Sequence, residues 1–219
     1  MSASARRVAG LVAALALSAV VAVGCDSGGN NNRGGNSGGG NNSGVGGISP
    51  NTSSCTSPGK TVTVGGLTWM AENLNCDASN SWCYGDDNSN CTKYGRLYTW
   101  EAAKTACPSD WRLPDTADWR RLVEVAGGSS IAGRKLKSKT GWQAIRGISS
   151  TDEFGFSALP GGYRNADGSF DFGGNFGLWW SATESGSGNA WNRYMSYGHN
   201  DVYENYDNEG YGFSVRCVR

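Results

Sequence analysis

The residues best equipped for chemistry crowd into one stretch. Residues 107–122 read CPSDWRLPDTADWRRL, with one cysteine, two tryptophans, three acids and three arginines. A catalytic reading makes Cys107 a nucleophile, assisted by Asp115 or Asp118 and an arginine. A nucleophilic thiol usually needs a base to form its thiolate. The chain has one histidine, His199, and it lies far from this stretch in sequence. The competing reading makes the stretch a corner of the fold.

The flanking elements bear on that choice. YTWEAAKTAC (98–107) reads as a short helix, with Thr99 placed to cap its N-terminus and Pro108 stopping it. After Pro114, DTADWRRLVEVAGG reads as a second helix. Asp115 or Thr116 would cap it, Asp118 sits in its positive first turn, and Gly127-Gly128 ends it. Trp119, Leu122, Val123 and Ala126 recur at helical spacing and form one apolar face. The motif is then a joint between two helices.

Strand signals fill much of the rest. TVTVGGLTWM (61–70) reads as a hairpin turning at Gly65-Gly66. GGYRNADGSFDF (161–172) reads as two strands around Asp167-Gly168. LWWSATE (178–184), AWNRYMSY (190–197), DVYENY (201–206) and YGFSVRCV (211–218) read as further strands. Early helices followed by a run of strands predict an α+β domain with long, glycine-rich loops.

The N-terminus belongs to no fold. Arg6 and Arg7 precede an apolar run, Val8 to Val23, that is short and rich in small residues. That is the layout of a secretory leader rather than of a membrane span. Ala22-Val23-Gly24-Cys25 resembles a bacterial lipobox, which implies a lipid on Cys25. Residues 26–54 are nearly all Gly, Asn and Ser. They hold too little apolar surface to offset the entropy of ordering, so they read as a tether with a reach of roughly 30 Å. The expected organisation is a leader at 1–24, a lipidated and tethered segment at 25–54, and one domain at 55–219. All nine tryptophans fall in that last part. Loss of Arg6 and Arg7 takes the 19 basic groups to 17 against 19 acids, a net charge of −2. No basic run suggests nucleic acid.

Seven cysteines are present. With Cys25 lipidated, Cys55, Cys76, Cys83, Cys91, Cys107 and Cys217 remain, an even set in an exported chain. Three disulfides are expected, with 15 possible connectivities. No pair has the short C-x2-C spacing of a zinc site.

Five motifs then point one way. GGLTWMAENLN, SWCYGDDNSNCTKYGRLYTWEAAKTACPSDWRLPDTADW, DEFGFSALPGGYRNADGSF, WWSATE and GFSVRCVR closely resemble the Fibrobacter succinogenes major paralogous (FISUMP) domain, in the family's order and across 60–219. The family occurs in bacterial lipoproteins. It is similar to the C-type lectin-like group of folds, which includes the formylglycine-generating sulfatase modifiers. The resemblance implies a C-type lectin-like α+β domain with two early helices, a twisted, mostly antiparallel sheet, long irregular loops and disulfide bracing. It also implies that Cys107 bonds Cys217 in the last strand, with Trp111 and Trp119 packed beneath and Arg112 paired to an acid or a carbonyl. Cys83 and Cys91 bracket a short loop that a bridge would close, which leaves Cys55 for Cys76.

Three site readings follow. Asp86, Asn88 and Asn90 alternate like the start of an EF-hand loop. Cys91 then stands where glycine should turn the chain, and Leu97 where a bidentate Glu should be. The E-P-N and W-N-D triplets of calcium-dependent lectins are absent too, so neither metal nor cofactor is expected. The modifier enzymes use a late cysteine pair, and only Cys217 lies late here; the expectation is a non-enzyme. Aromatics crowd the chain from Tyr163 to Tyr211. Alternation in LWWSAT places one tryptophan inward and one outward. Tyr203, Tyr206 and Tyr211, with Trp191, are the candidate ligand-binding residues. The expected function is a module lipid-anchored to a bacterial membrane, at the outer membrane or cell surface, that binds polysaccharide or another envelope protein. A purely structural envelope role is the alternative.

Overall fold

The computed structural model describes residues 55–219; Cys25, the leader and the tether lie outside them. The domain is mixed α+β, with four α-helices, small antiparallel sheets and three disulfides.

Strands β1 (Thr61–Val64) and β2 (Leu67–Met70) form the first hairpin. Both turn residues, Gly65 and Gly66, have positive φ, as a two-residue hairpin turn requires. β3 (Ser81–Trp82) pairs with β4 (Leu97–Tyr98). Between them lie a 3-10 turn, Tyr84–Asp86, and helix α1 (Asn88–Tyr94). Helix α2 (Trp100–Thr105) starts at Thr99, whose hydroxyl accepts from the Ala102 amide. Helix α3 (Thr116–Val125) starts at Asp115 with a full capping box. Helix α4 (Ser129–Leu136) follows directly after Gly127-Gly128. β5 (Tyr163–Arg164) and β6 (Phe170–Asp171) make a short hairpin. The main sheet has three strands in the order β7 (Phe176–Gly186), β8 (Asn189–Ser196), β9 (Tyr203–Asn208).

Four expectations change. The segment 83–91 is not a plain loop: Asp87 caps α1, and the 88/90 alternation lies inside that helix. Helix α4 is an element beyond those expected, and it carries Gly133 in its interior because a Cβ there would run into the Asp201 carbonyl oxygen. Residues 211–218 are no single strand. They thread through the interior, bridging Trp69, Tyr98, Arg112, Arg164 and Trp179 in turn. Trp179 and Trp180 are both fully buried.

That last point defines the architecture. Alternation does send the two rings to opposite faces, but both faces are covered. One core holds Trp179, Trp69, Trp119, Phe156 and Met195; the other holds Trp180, Tyr98, Phe213, Val215 and Cys217. Trp179 and Trp180 donate to Asn73 Oδ1 (2.9 Å) and the Tyr98 carbonyl (2.7 Å), as buried indole N–H groups should. Arg216 is buried in the threaded segment without a carboxylate. Its guanidinium donates to Asn73 Oδ1 and to the carbonyls of Met70, Phe156 and Ser157. Burial pulls its pKa down to about 9, so it stays charged at neutral pH.

Candidate functional site

The opening motif is occupied by structure. Cys107 bonds Cys217 with their Cα atoms 5.9 Å apart, Cys55 bonds Cys76 (5.6 Å), and Cys83 bonds Cys91 (4.8 Å). Asp115 accepts from the Ala117 and Asp118 amides. Asp118 accepts from the Asp115 amide and from both terminal nitrogens of Arg112. Burial would raise the Asp118 carboxyl, but Arg112 and the Asp115 amide outweigh it and hold it below the usual range. Trp111 packs beside the Cys107–Cys217 bridge. Trp119 does not: it lies in the other core, against Trp69 and Trp179.

The four candidate binding aromatics fall on two faces of the sheet. Strand β9 pairs Tyr206 with Trp191 and Tyr203 with Tyr194. Residues 203 and 206 differ by an odd number, so the pleat sends them to opposite sides. Trp191 and Tyr206 meet edge to face at 5.5 Å, with Tyr206 54% exposed, beside Arg193, Glu204 and Arg120. Tyr203 and Tyr211 belong to the other face.

That other face carries a larger assembly. Tyr203 stacks on Tyr194 with ring centres 4.7 Å apart. Tyr194 neighbours Phe176 (6.4 Å), Phe176 meets Phe172 (5.0 Å), and Phe172 stacks on Tyr163 (5.9 Å). Tyr211 joins through Tyr163 at 6.2 Å. The result is an aromatic strip running from β9 to the β5–β6 hairpin. Phe172 is its most open member, 43% exposed, and adopts φ +60°. Left-handed backbone is uncommon for a bulky residue, and here it holds a phenyl ring toward water. In the sequence Phe172 is one of many aromatics, and the signal that singles it out is Gly173-Gly174 directly after it. The loop is pinned from beneath. Tyr84 lies so close that a Cβ on Gly173 would meet its ring at 2.7 Å, and the Gly173 amide donates to Tyr84 Oη (3.0 Å). Tyr84 follows Cys83, so the Cys83–Cys91 bridge braces the strip.

A polar notch interrupts the same face. Asn192, Asn205 and Asp207 share the pleat of Tyr194 and Tyr203. Asn192 and Asn205 both donate to Asp207 Oδ2, at 2.9 and 3.2 Å. Burial raises the Asp207 carboxyl, and the two amides only partly offset that. Asn192 is fully buried, and its Oδ1 has no hydrogen-bond partner among the described residues. Such a group is costly unless something supplies a donor.

Elsewhere, a cavity of about 430 Å³ lies among Cys55, Pro58, Met70, Glu72, Asn73 and Asp77. Its acids are already spent: Glu72 pairs with Lys60 and Asp77 with Arg96. Among the described residues no three His, Cys, Asp or Glu side chains gather as metal ligands, and no helix is long and apolar enough to cross a membrane.

Fold and site together define a disulfide-braced α+β domain whose sheet presents an aromatic strip around a carboxylate. The model of the Fibrobacter succinogenes major domain family matches residues 62–219, and the chain belongs to that family. No curated protein and no solved structure matches it.

Proposed function

We propose that the chain is a non-catalytic binding module of the cell envelope, with the aromatic strip as its binding face and polysaccharide as its ligand class. The observation that carries this is the pairing of Phe172, exposed in left-handed backbone, with a partly buried carboxylate on the same face. Aromatic rings cover the apolar faces of sugars, and a few placed polar groups fix orientation. All six described cysteines are bonded in pairs, and Asp115 and Asp118 are spent on a helix cap; both support a role without catalysis.

Our reading of the fold is C-type lectin-like. Its support is the closure of the chain ends. Thr68 and Arg219 exchange backbone hydrogen bonds, Met70 donates to the Cys217 carbonyl, and Cys107–Cys217 ties the end of α2 to the same segment. Anchorage through Cys25, with residues 26–54 as spacer, rests on the sequence.

Affinity electrophoresis of the full chain through polysaccharide gels tests the binding. Retardation is expected, and Tyr203→Ala should weaken it by about tenfold, the scale of a buried aromatic anchor. Absence of retardation across neutral, acidic and basic polysaccharides favours the structural role, in which the strip is only the rim of a core. For the anchor, Cys25→Ser should abolish acylation and membrane fractionation; unchanged partitioning refutes it.

A further inference from the structure

The polysaccharide reading leaves open which glycans the strip accepts, and the charges around it narrow the choice. Three strip tyrosines report them. Tyr163 is pushed up to about 12 by burial and by Asp171, Tyr211, Asp207 and Tyr84. Tyr194 is raised by burial, Asp207 and Asp201. Tyr203 is raised by burial, Asp201 and Tyr194. No basic side chain is among the groups acting on these three phenols. Each therefore stays a neutral hydroxyl beside carboxylates, and an anionic ligand would meet their repulsion; the basic ring of His199 reaches the strip only at Tyr203, edge to face at 6.1 Å.

Acceptors also outnumber donors in the notch. Both protein donors to Asp207 fall on Oδ2, and none of the described residues donates to Oδ1. Asn192 Oδ1 is likewise without a donor among the described residues but is enclosed, so Asp207 Oδ1 is the acceptor open to a ligand. The orientation of Asn192 is fixed, because its amide nitrogen is already committed to the carboxylate. The missing partner is a group rich in O–H donors with no negative charge.

Resting on the proposed polysaccharide face, we infer that its ligand is an uncharged glycan whose ring hydroxyls donate to Asp207 Oδ1 while its apolar ring faces cover the strip between Phe172 and Tyr203. A chain of neighbouring rings running from Tyr203 to Tyr163, with an acceptor on the same face, matches an extended sugar chain. A compact cation would call for rings closed into a cage.

Isothermal titration of the full chain tests this with three soluble probes: hydroxyethylcellulose as neutral glucan, polygalacturonate as acidic glycan and chitosan as cationic glycan. Binding is expected for the glucan and not for the polygalacturonate. Asp207→Asn keeps the shape of the side chain and should weaken glucan binding about tenfold or more, because a charge-assisted acceptor is lost. Asn205→Ala, at an exposed position, is the second variant: it strips one donor from the carboxylate without touching a core and should weaken binding severalfold. Melting temperatures separate either loss from misfolding. A preference for polygalacturonate, salt-sensitive binding of chitosan alone, or glucan binding untouched by both variants overturns the inference and leaves the polysaccharide face standing. Failure of all three probes removes both.

Discussion

Replacing Cys107 and Cys217 together with alanine should cost more stability than removing either other bridge. A disulfide restricts the unfolded chain in proportion to the logarithm of the loop it closes. The loops span 110 residues for Cys107–Cys217, 21 for Cys55–Cys76 and 8 for Cys83–Cys91. The loop-closure relation gives about 4.8, 3.3 and 2.5 kcal/mol at 25 °C. In a domain of this size 1 kcal/mol moves the melting temperature by roughly 2–4 °C, so the Cys107/Cys217 variant should melt about 10–19 °C lower. The Cys83/Cys91 variant should fall by about half as much. Cys217, Cys83 and Cys91 are all buried, so lost sulfur packing is comparable in the two variants and does not reverse the order. Thermal unfolding of the three double-alanine variants, followed by tryptophan fluorescence in one buffer, measures the series. Equal losses, or the largest loss from Cys83/Cys91, would refute the claim that the long bridge works by closing the whole domain.

Three further outcomes follow from single side chains. Burial raises Asp207 above its ordinary 3.8, so the folded state binds that proton more tightly than the unfolded chain does; this group's contribution to stability falls as pH rises through the folded pKa. Asp207→Asn should therefore gain stability over the native chain in urea melts at pH 7 relative to pH 4, and a gain confined to pH 4 contradicts the sign. Gly173→Ala drives a methyl to 2.7 Å from the Tyr84 ring; it should cost about 1–3 kcal/mol and weaken glycan binding together, measured by urea melts and titration. Arg216→Met takes the guanidinium from the carbonyls of Met70, Phe156 and Ser157, while Asn73 Oδ1 keeps the Trp179 indole, and should cost about 3–5 kcal/mol in the same melts.

Local chemistry was legible where one residue decides the backbone. Thr99 and Asp115 cap the helices that sequence places there, and Gly65-Gly66 turns the hairpin. Readings failed where tertiary packing decides. Inward–outward alternation assumes a sheet with one wet face, and the β7 end of this sheet has none, so Trp180 is as buried as Trp179. Residues 211–218 read as a strand because Tyr211, Phe213, Val215 and Val218 are types common in strands. They are almost all buried because they are central, and they bridge five different residues instead of pairing with one neighbouring strand. Helix α4 carries a weak sequence signal because Gly133 lowers helix propensity, and the glycine is there because the helix touches the Asp201 backbone. In the candidate site the parity of Tyr203 and Tyr206 was legible, but the placement of Phe172 was not. It depends on Tyr84 reaching across from a segment 89 residues away.

The strip and the second core are one structure seen at two depths. On that face, β7 contributes buried Trp180 and Leu178, β8 contributes buried Asn192 and half-buried Tyr194, and β9 contributes half-buried Tyr203 and exposed Asn205. Cover thins from β7 outward. A core that merely ran out of chain would end in small or charged residues at its rim, as sheet edges commonly do. This one ends in stacked tyrosines, an exposed phenylalanine in left-handed backbone and a carboxylate raised by its own burial. The left-handed backbone of Phe172 and the buried carboxylate both cost stability, and neither strengthens the core beneath. Stability given up on one face of an otherwise triply bridged domain is the pattern of a surface kept for a partner. The opposite face makes the contrast: there Arg193 and Glu204 pair, and Arg120 adds a second contact to the same carboxylate. The same three strands thus present an ion-paired side and an unfinished one, and the proposed binding face is the unfinished side.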